Sequence, residues 1–272
     1  MRKLILCFIA ILMTNSAFCQ TTFIPTGGTS LYDLQSNGTP VHIIQDKNNP
    51  DNIHAVFMSS PINDTIFAQR TIQYLYSSDR GLTWSFITDF SFLGRTGFPA
   101  ISLLSNGNAI ISMHGGPSIQ KTYTFVDAFA GLGSFTNLGS PCTSIQWPAV
   151  VASANVNLTN KFYIVGGTSP VSFTSGLSLT TPTYTACQTV DSNGSANGYS
   201  IAIGADGRVG IAFIKSNSTP DAGDVNFIES IDNGQTFSAP LKIYDATINA
   251  DNTYKGAFRG ISLVYSGNTP NV

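Results

Sequence analysis

The feature that most constrains this chain is a repeat with a period of about fifty residues. The segments PAISLLSNGNAIISM from Pro99, PAVVASANVNLTNKFYIV from Pro148, YSIAIGADGRVGIAF from Tyr199 and RGISLVYSGNTPNV from Arg259 each open on an apolar run that reaches a turn. In the first three a second apolar run follows. Asn106-Gly107 and Asp206-Gly207 are strong hairpin signals, and their glycines stand 100 residues apart, two periods. An earlier copy runs from Pro40 to Met58 and turns at Asp46 to Asn52. Between successive hairpins there is room for two more strands, such as Thr71 to Tyr76 with Thr83 to Phe90, or Val225 to Ile228 with Thr236 to Tyr244. Four antiparallel strands per unit, repeated in this way, predict an all-β protein with the architecture of a β-propeller.

Composition supports that class and removes others. Of 272 residues, 42% are hydrophobic and 10% charged, which supplies a core and argues against a disordered chain. Thirteen Lys and Arg face fifteen Asp and Glu, with no basic stripe, so nucleic acid and anionic membranes are not expected partners. The 25 glycines and 13 prolines fit many tight turns between short strands.

The first residues, MRKLILCFIAILMTNSAFCQ, combine two positive charges, an apolar run and a small-residue exit, and predict a signal peptide over 1–19. Export to the surface or surroundings of a Gram-negative bacterium follows as an expectation, without membrane insertion. Residues 20–38 form an N-terminal segment and 39–272 the repeat domain. Cys142 and Cys187 remain after the leader, either as one disulfide or as two buried thiols. Neither has partners at metal-ligand spacing, and no metal or cofactor is expected. The sequons at Asn37, Asn63, Asn157, Asn193 and Asn217 read as turn chemistry.

Two further segments match S-x-D-x-G-x-T-[WF]: Ser77, Asp79, Gly81, Thr83 and Trp84, and again Ser230, Asp232, Gly234, Thr236 and Phe237. Their aspartates lie 153 residues apart, three periods. Asp and Ser side chains at such a turn bond its backbone, the glycine supplies positive φ, and the aromatic packs beneath.

These segments resemble the Asp-box, or bacterial neuraminidase repeat, and the chain is similar to the secreted β-propellers that carry it. Asp46-Lys47-Asn48-Asn49-Pro50 resembles the D-x-x-N-P turn of the same proteins. The second and third units lack a clean box. The resemblance implies that the boxes are structural and lie opposite the ligand face. About four and a half blades are present, and because a propeller must close its ring the chain reads as part of a six- or seven-bladed one. A five-bladed ring completed by 20–38 is the alternative.

The best-known enzymes of this architecture are exo-sialidases, which grip a carboxylate with three arginines and use a Tyr nucleophile activated by Glu. The counterpart of their R-I-P motif, Phe23-Ile24-Pro25, has no Arg. The sole glutamate, Glu229, precedes the second box, toward the opposite face. No catalytic residue is therefore assigned. Position in the repeat places Arg95, Trp147, Tyr199 and Arg259 on a ligand rim, with Asp64, His114 and Lys215 on neighbouring loops, a set suited to sugars. His114 is expected at the surface. The function expected is a non-catalytic recognition or scaffold propeller with glycans or cell-surface components as partners. The alternative is a sialidase-like glycoside hydrolase whose catalytic residues lie mainly beyond residue 272.

Overall fold

The computed structural model describes Pro25 and residues 41–272 apart from 62, 117–120, 140, 141, 143, 144, 154, 155, 168, 179, 180, 217, 220 and 252. The leader at 1–19, Phe23, Ile24, Asn37, Asn217 and, Pro25 excepted, the segment 20–38 lie outside the described residues.

The fold is all-β, with four antiparallel sheets in chain order. Blade 1 comprises β1 (Ile43–Gln45), β2 (Ile53–Ser59), β3 (Thr71–Ser77) and β4 (Ser85–Asp89). Blade 2 comprises β5 (Thr96–Leu103), β6 (Ala109–Gly115), β7 (Lys121–Asp127) and β8 (Phe135–Gly139). Blade 3 has β9 (Ala149–Ala152), β10 (Lys161–Gly167) and β11 (Val171–Leu177), and two short pieces, β12 (Thr183–Tyr184) and β13 (Gln188–Asp191), share the outer edge of β11. The break falls at Cys187, which forms a disulfide with Cys142 in the linker from blade 2, their Cα atoms 6.3 Å apart. Blade 4 comprises β14 (Gly194–Ile203), β15 (Val209–Lys215), β16 (Val225–Ser230) and β17 (Leu241–Tyr244). The hairpins β18 (Thr247–Ile248) with β19 (Tyr254–Lys255), and β20 (Val264–Ser266) with β21 (Thr269–Asn271), follow.

The hundred-residue spacing is a register identity. Ile101 pairs with Ile111 and Leu103 with Ala109, while Ile201 pairs with Ile211 and Ile203 with Val209. The core lies between blades, because a strand's side chains alternate between its two faces. Ile111 and Met113 face blade 1, joining Val56, Met58, Ile72 and Tyr74, whereas Ile110 faces blade 3 with Val150, Phe162 and Ile164. Tyr163 and Val165 turn the other way, onto Ile211 and Phe213 of blade 4. A strand buried on both faces reads as a continuous apolar run, which is why β6, β10 and β15 are so marked in the sequence.

The two boxed hairpins are near copies. The Ser77 hydroxyl donates to Asp79 at 2.7 Å, the Asp79 carboxylate accepts from Thr83 N–H at 2.8 Å and from the Thr83 hydroxyl at 2.6 Å, and Gly81 N–H donates to Ser77 Oγ at 2.8 Å. At Ser230, Asp232, Thr236 and Gly234 the same four bonds measure 2.7, 2.9, 2.6 and 2.8 Å. Gly81 and Gly234 take φ of 82° and 80°. The Trp84 ring lies against Gly81, and Phe237 packs edge-on to Phe173 with centroids 4.9 Å apart. Blade 2 has a substitute: Asp127, ending β7 where Ser77 ends β3, accepts from Gly133 N–H and Ser134 N–H, each at 2.9 Å. A single carboxylate thus closes a hairpin that the S-x-D-x-G-x-T pattern passes over.

The β1–β2 turn meets the Asp79 hairpin, since Arg80 pairs with Asp51 at 2.6 Å. Both therefore occupy one end of the sheets. The β2–β3 loop and the connections between blades occupy the other, called here the rim.

Candidate functional site

At the rim, blades 1, 2 and 3 bring together Arg70, Arg95, Phe98, His114 and Trp147. Arg70 ends the β2–β3 loop and is 3% exposed. Its Nε donates to the Thr96 carbonyl at 2.7 Å, and a terminal nitrogen lies 3.1 Å from Nε2 of His114. The guanidinium sits 5.2 Å from the Phe98 ring centroid. Gly97 makes room for it, because a Cβ at that position would collide with the Arg70 guanidinium.

His114 is 5% exposed, which corrects the expectation of a surface residue. It lies on β6, opposite Gly97 on β5, and its ring is enclosed by Phe98 at 4.8 Å and Trp147 at 6.0 Å between centroids. An arginine only donates, so Nε2 accepts and the proton resides on Nδ1. That Nδ1–H is buried without a hydrogen-bond partner among the described residues. Burial first, then the charges of Arg70 and Arg95, hold its pKa down at about 3, and the ring is neutral at ordinary pH.

Phe98 and Trp147 occupy equivalent places, as Phe98-Pro99-Ala100 and Trp147-Pro148-Ala149, and both have positive φ, 53° and 52°. Their rings meet edge-to-face at 6.3 Å. Phe67, in the β2–β3 loop, is a third aromatic with positive φ, 56°, and its carbonyl accepts from Nε of exposed Arg95 at 3.1 Å. Bulky residues rarely adopt this region, and such outliers concentrate at functional sites.

Of the residues expected at the rim, Arg95, His114 and Trp147 meet here. Tyr199 lies behind them, 4% exposed, with its hydroxyl 2.7 Å from the Trp147 carbonyl. Asp64 is not an open rim carboxylate. It is buried, and accepts from the Ser60 hydroxyl at 2.9 Å, Ala68 N–H at 3.0 Å and Gln69 N–H at 2.6 Å. Burial would raise its pKa, but these bonds outweigh it and hold the carboxyl below its usual value. Lys215 belongs to the rim of blade 4, tied to Asp191 at 2.9 Å and to Asp221 at 3.8 Å. Arg259 is exposed in the segment after blade 4, its guanidinium 5.3 Å from the Phe258 ring. Phe98 escaped the sequence reading although the aromatic-Pro-Ala pattern it shares with Trp147 signals it. Arg70 carries no local signal.

Glu229 lies at the box end. It accepts from the Tyr265 hydroxyl at 2.6 Å and from Arg208 at 3.0 Å. Burial, then the neighbouring carboxylate, pushes the Tyr265 phenol well above its usual value, opposite to what a tyrosine nucleophile needs.

No protein-family model and no curated protein matches this sequence. Similar solved structures include a Hadza microbial sialidase, with TM-score 0.53 and 12% identity over 82% of this chain and 47% of that one. A protein of unknown function from Dyadobacter fermentans gives 0.51 at 16% identity, covering 78% of this chain and 72% of that one. The α-L-arabinofuranosidase Arb93A of Fusarium graminearum, in complex with an iminosugar inhibitor, gives 0.50 at 12% identity, covering 90% and 75%. At these identities the likeness is one of fold, that of the β-propeller.

Proposed function

We propose that this chain is an exported carbohydrate-recognition propeller of the Asp-box class, with a leader at 1–19, a recognition domain over 39–272 and no catalytic role. The observation that carries this reading is the rim cluster: Phe98 and Trp147, both half-buried and in left-handed conformations, beside the exposed guanidinium of Arg95. Aromatic surface packs on the apolar faces of sugars, while single donors select hydroxyl positions. Arg95 adds an exposed guanidinium, whose Nε donates to the Phe67 carbonyl. The carboxylates nearby are already engaged: Asp64 holds its loop, and Asp191 holds Lys215. Two of the similar structures bear glycosidase names, which accords with sugars as the ligand class.

The alternative, a sialidase-like hydrolase, draws on the Tyr265–Glu229 contact, but that pair sits at the box end with a raised phenol pKa. An immobilised panel of sialyl- and arabinosyl-oligosaccharides separates the two. Binding that Phe98→Ala or Trp147→Ala reduces at least tenfold, without hydrolysis, supports recognition. Turnover of a fluorogenic sialoside that Glu229→Gln abolishes would replace it with the hydrolase.

A further inference from the structure

Trp147 has φ of 52° and precedes Pro148. A bulky residue pays for that region, and a following proline pushes its neighbour toward extended backbone, so the conformation persists only where surrounding groups impose it. Those groups can be identified. The Gln146 carbonyl accepts from Gly167 N–H at 2.8 Å. Gly166 allows this approach, since a Cβ there would stand 2.8 Å from the same carbonyl oxygen. The Tyr199 hydroxyl lies 2.7 Å from the Trp147 carbonyl and 3.2 Å from that of Gln146. Its one proton goes to the nearer oxygen, Gln146 being already served by Gly167. The Tyr199 ring is fixed in the core between blades 3 and 4, so the hydroxyl is delivered from a rigid base.

Blade 2 solves the equivalent problem differently. Phe98 has the same backbone conformation before Pro99, but the residue one blade on that matches Tyr199 is Pro148, which has no hydroxyl. Phe98 is held instead by Arg70, stacked at 5.2 Å and anchored to the Thr96 carbonyl. The two aromatics of the rim thus have separate supports, one from the preceding blade and one from the following blade.

We infer that Tyr199 is a positioning residue for the glycan rim: its hydroxyl fixes the orientation of Trp147, and with it the affinity of the site. The inference rests on the glycan reading for its consequence in binding, and on the geometry alone for the placement of Trp147. The chain has two tryptophans, so in a Trp84→Phe background the emission of Trp147 is read without interference. Tyr199→Phe keeps the buried ring and removes only the hydroxyl. The expected result is a red-shifted, more readily quenched Trp147 emission, an unchanged cooperative melt, and affinity for the sialyl- and arabinosyl-oligosaccharide panel lowered about five- to tenfold. Unchanged emission overturns the inference, and so does altered emission with unaltered affinity. Loss of the cooperative melt overturns it too, since the hydroxyl would then serve global stability. If the parent protein binds nothing on the panel, the glycan reading fails, and the emission of Tyr199→Phe still decides whether this hydroxyl places Trp147.

Discussion

Nε2 of His114 in blade 2 accepts a hydrogen bond from the guanidinium of Arg70 in blade 1, 3.1 Å away, so a neutral imidazole is built into the contact between two blades. Its pKa of about 3 is a linkage statement. His54, with its Nδ1 2.7 Å from the Tyr74 hydroxyl, is likewise held down at about 4, by burial against the opposing charge of Asp46.

Both histidines titrate near 6.5 once unfolded, and the unfolded chain therefore binds more protons than the folded one as pH falls from there toward 4. Stability is full above about 6.5 and declines below it, by up to ~1.4 kcal/mol per pH unit for each histidine. Urea denaturation between pH 7 and 4.5 should show this decline, with a shallower slope in His114→Gln. An equal slope in the variant would remove His114 from the explanation.

Gly97→Ala places a methyl group against the Arg70 guanidinium, which cannot swing out freely because Arg70 is buried and bonded to Thr96. The expected cost is about 1–3 kcal/mol. Displacing Arg70 also removes one charge that suppresses His114, so the imidazole pKa should rise, a change visible by NMR titration. Combining Gly97→Ala with Arg70→Ala should cost less than the sum of the two, because the clash is with Arg70 itself.

Asp232 receives the Thr236 hydroxyl and N–H and the Ser230 hydroxyl, and these bonds hold its carboxyl far below the usual range. Asp79 is depressed in the same way, first by Thr83. Asp232→Ala should lower the melting temperature by a few degrees. Binding to an oligosaccharide panel should be unchanged, because the hairpin stands at the end opposite the rim. Weakened binding in a folded Asp232→Ala protein would contradict that placement.

The disulfide between Cys142 and Cys187 joins positions 45 residues apart and ties the linker from blade 2 to the broken outer edge of blade 3. Paired replacement by serine should cost about 2–4 kcal/mol through the greater freedom of the unfolded chain. A matching drop in urea midpoint when the unaltered protein is reduced would confirm the source.

Much of the fold was legible because a blade is a local object. Its turns depend on Gly, Asn and Asp at short spacing, and its second strand, buried on both faces, leaves an uninterrupted apolar run. Repetition then turned weak signals into a periodic one, down to the register shared by Ile101 and Ile201. Asp127 escaped because one carboxylate performs in blade 2 what a four-residue pattern performs elsewhere.

By itself the sequence determined the class of sheet, the repeat, the boxed hairpins and the place of Trp147 ahead of β9, since all of these rest on neighbours in the chain. Tertiary structure alone decided that Arg70 reaches His114 across 44 residues of chain, that Asp64 spends its charge inside its own loop, and that Tyr199 supports Trp147 from the next blade. The physical reason is burial. Whether a polar side chain faces water or a partner depends on how adjacent blades press together, and no spacing along one strand encodes that contact.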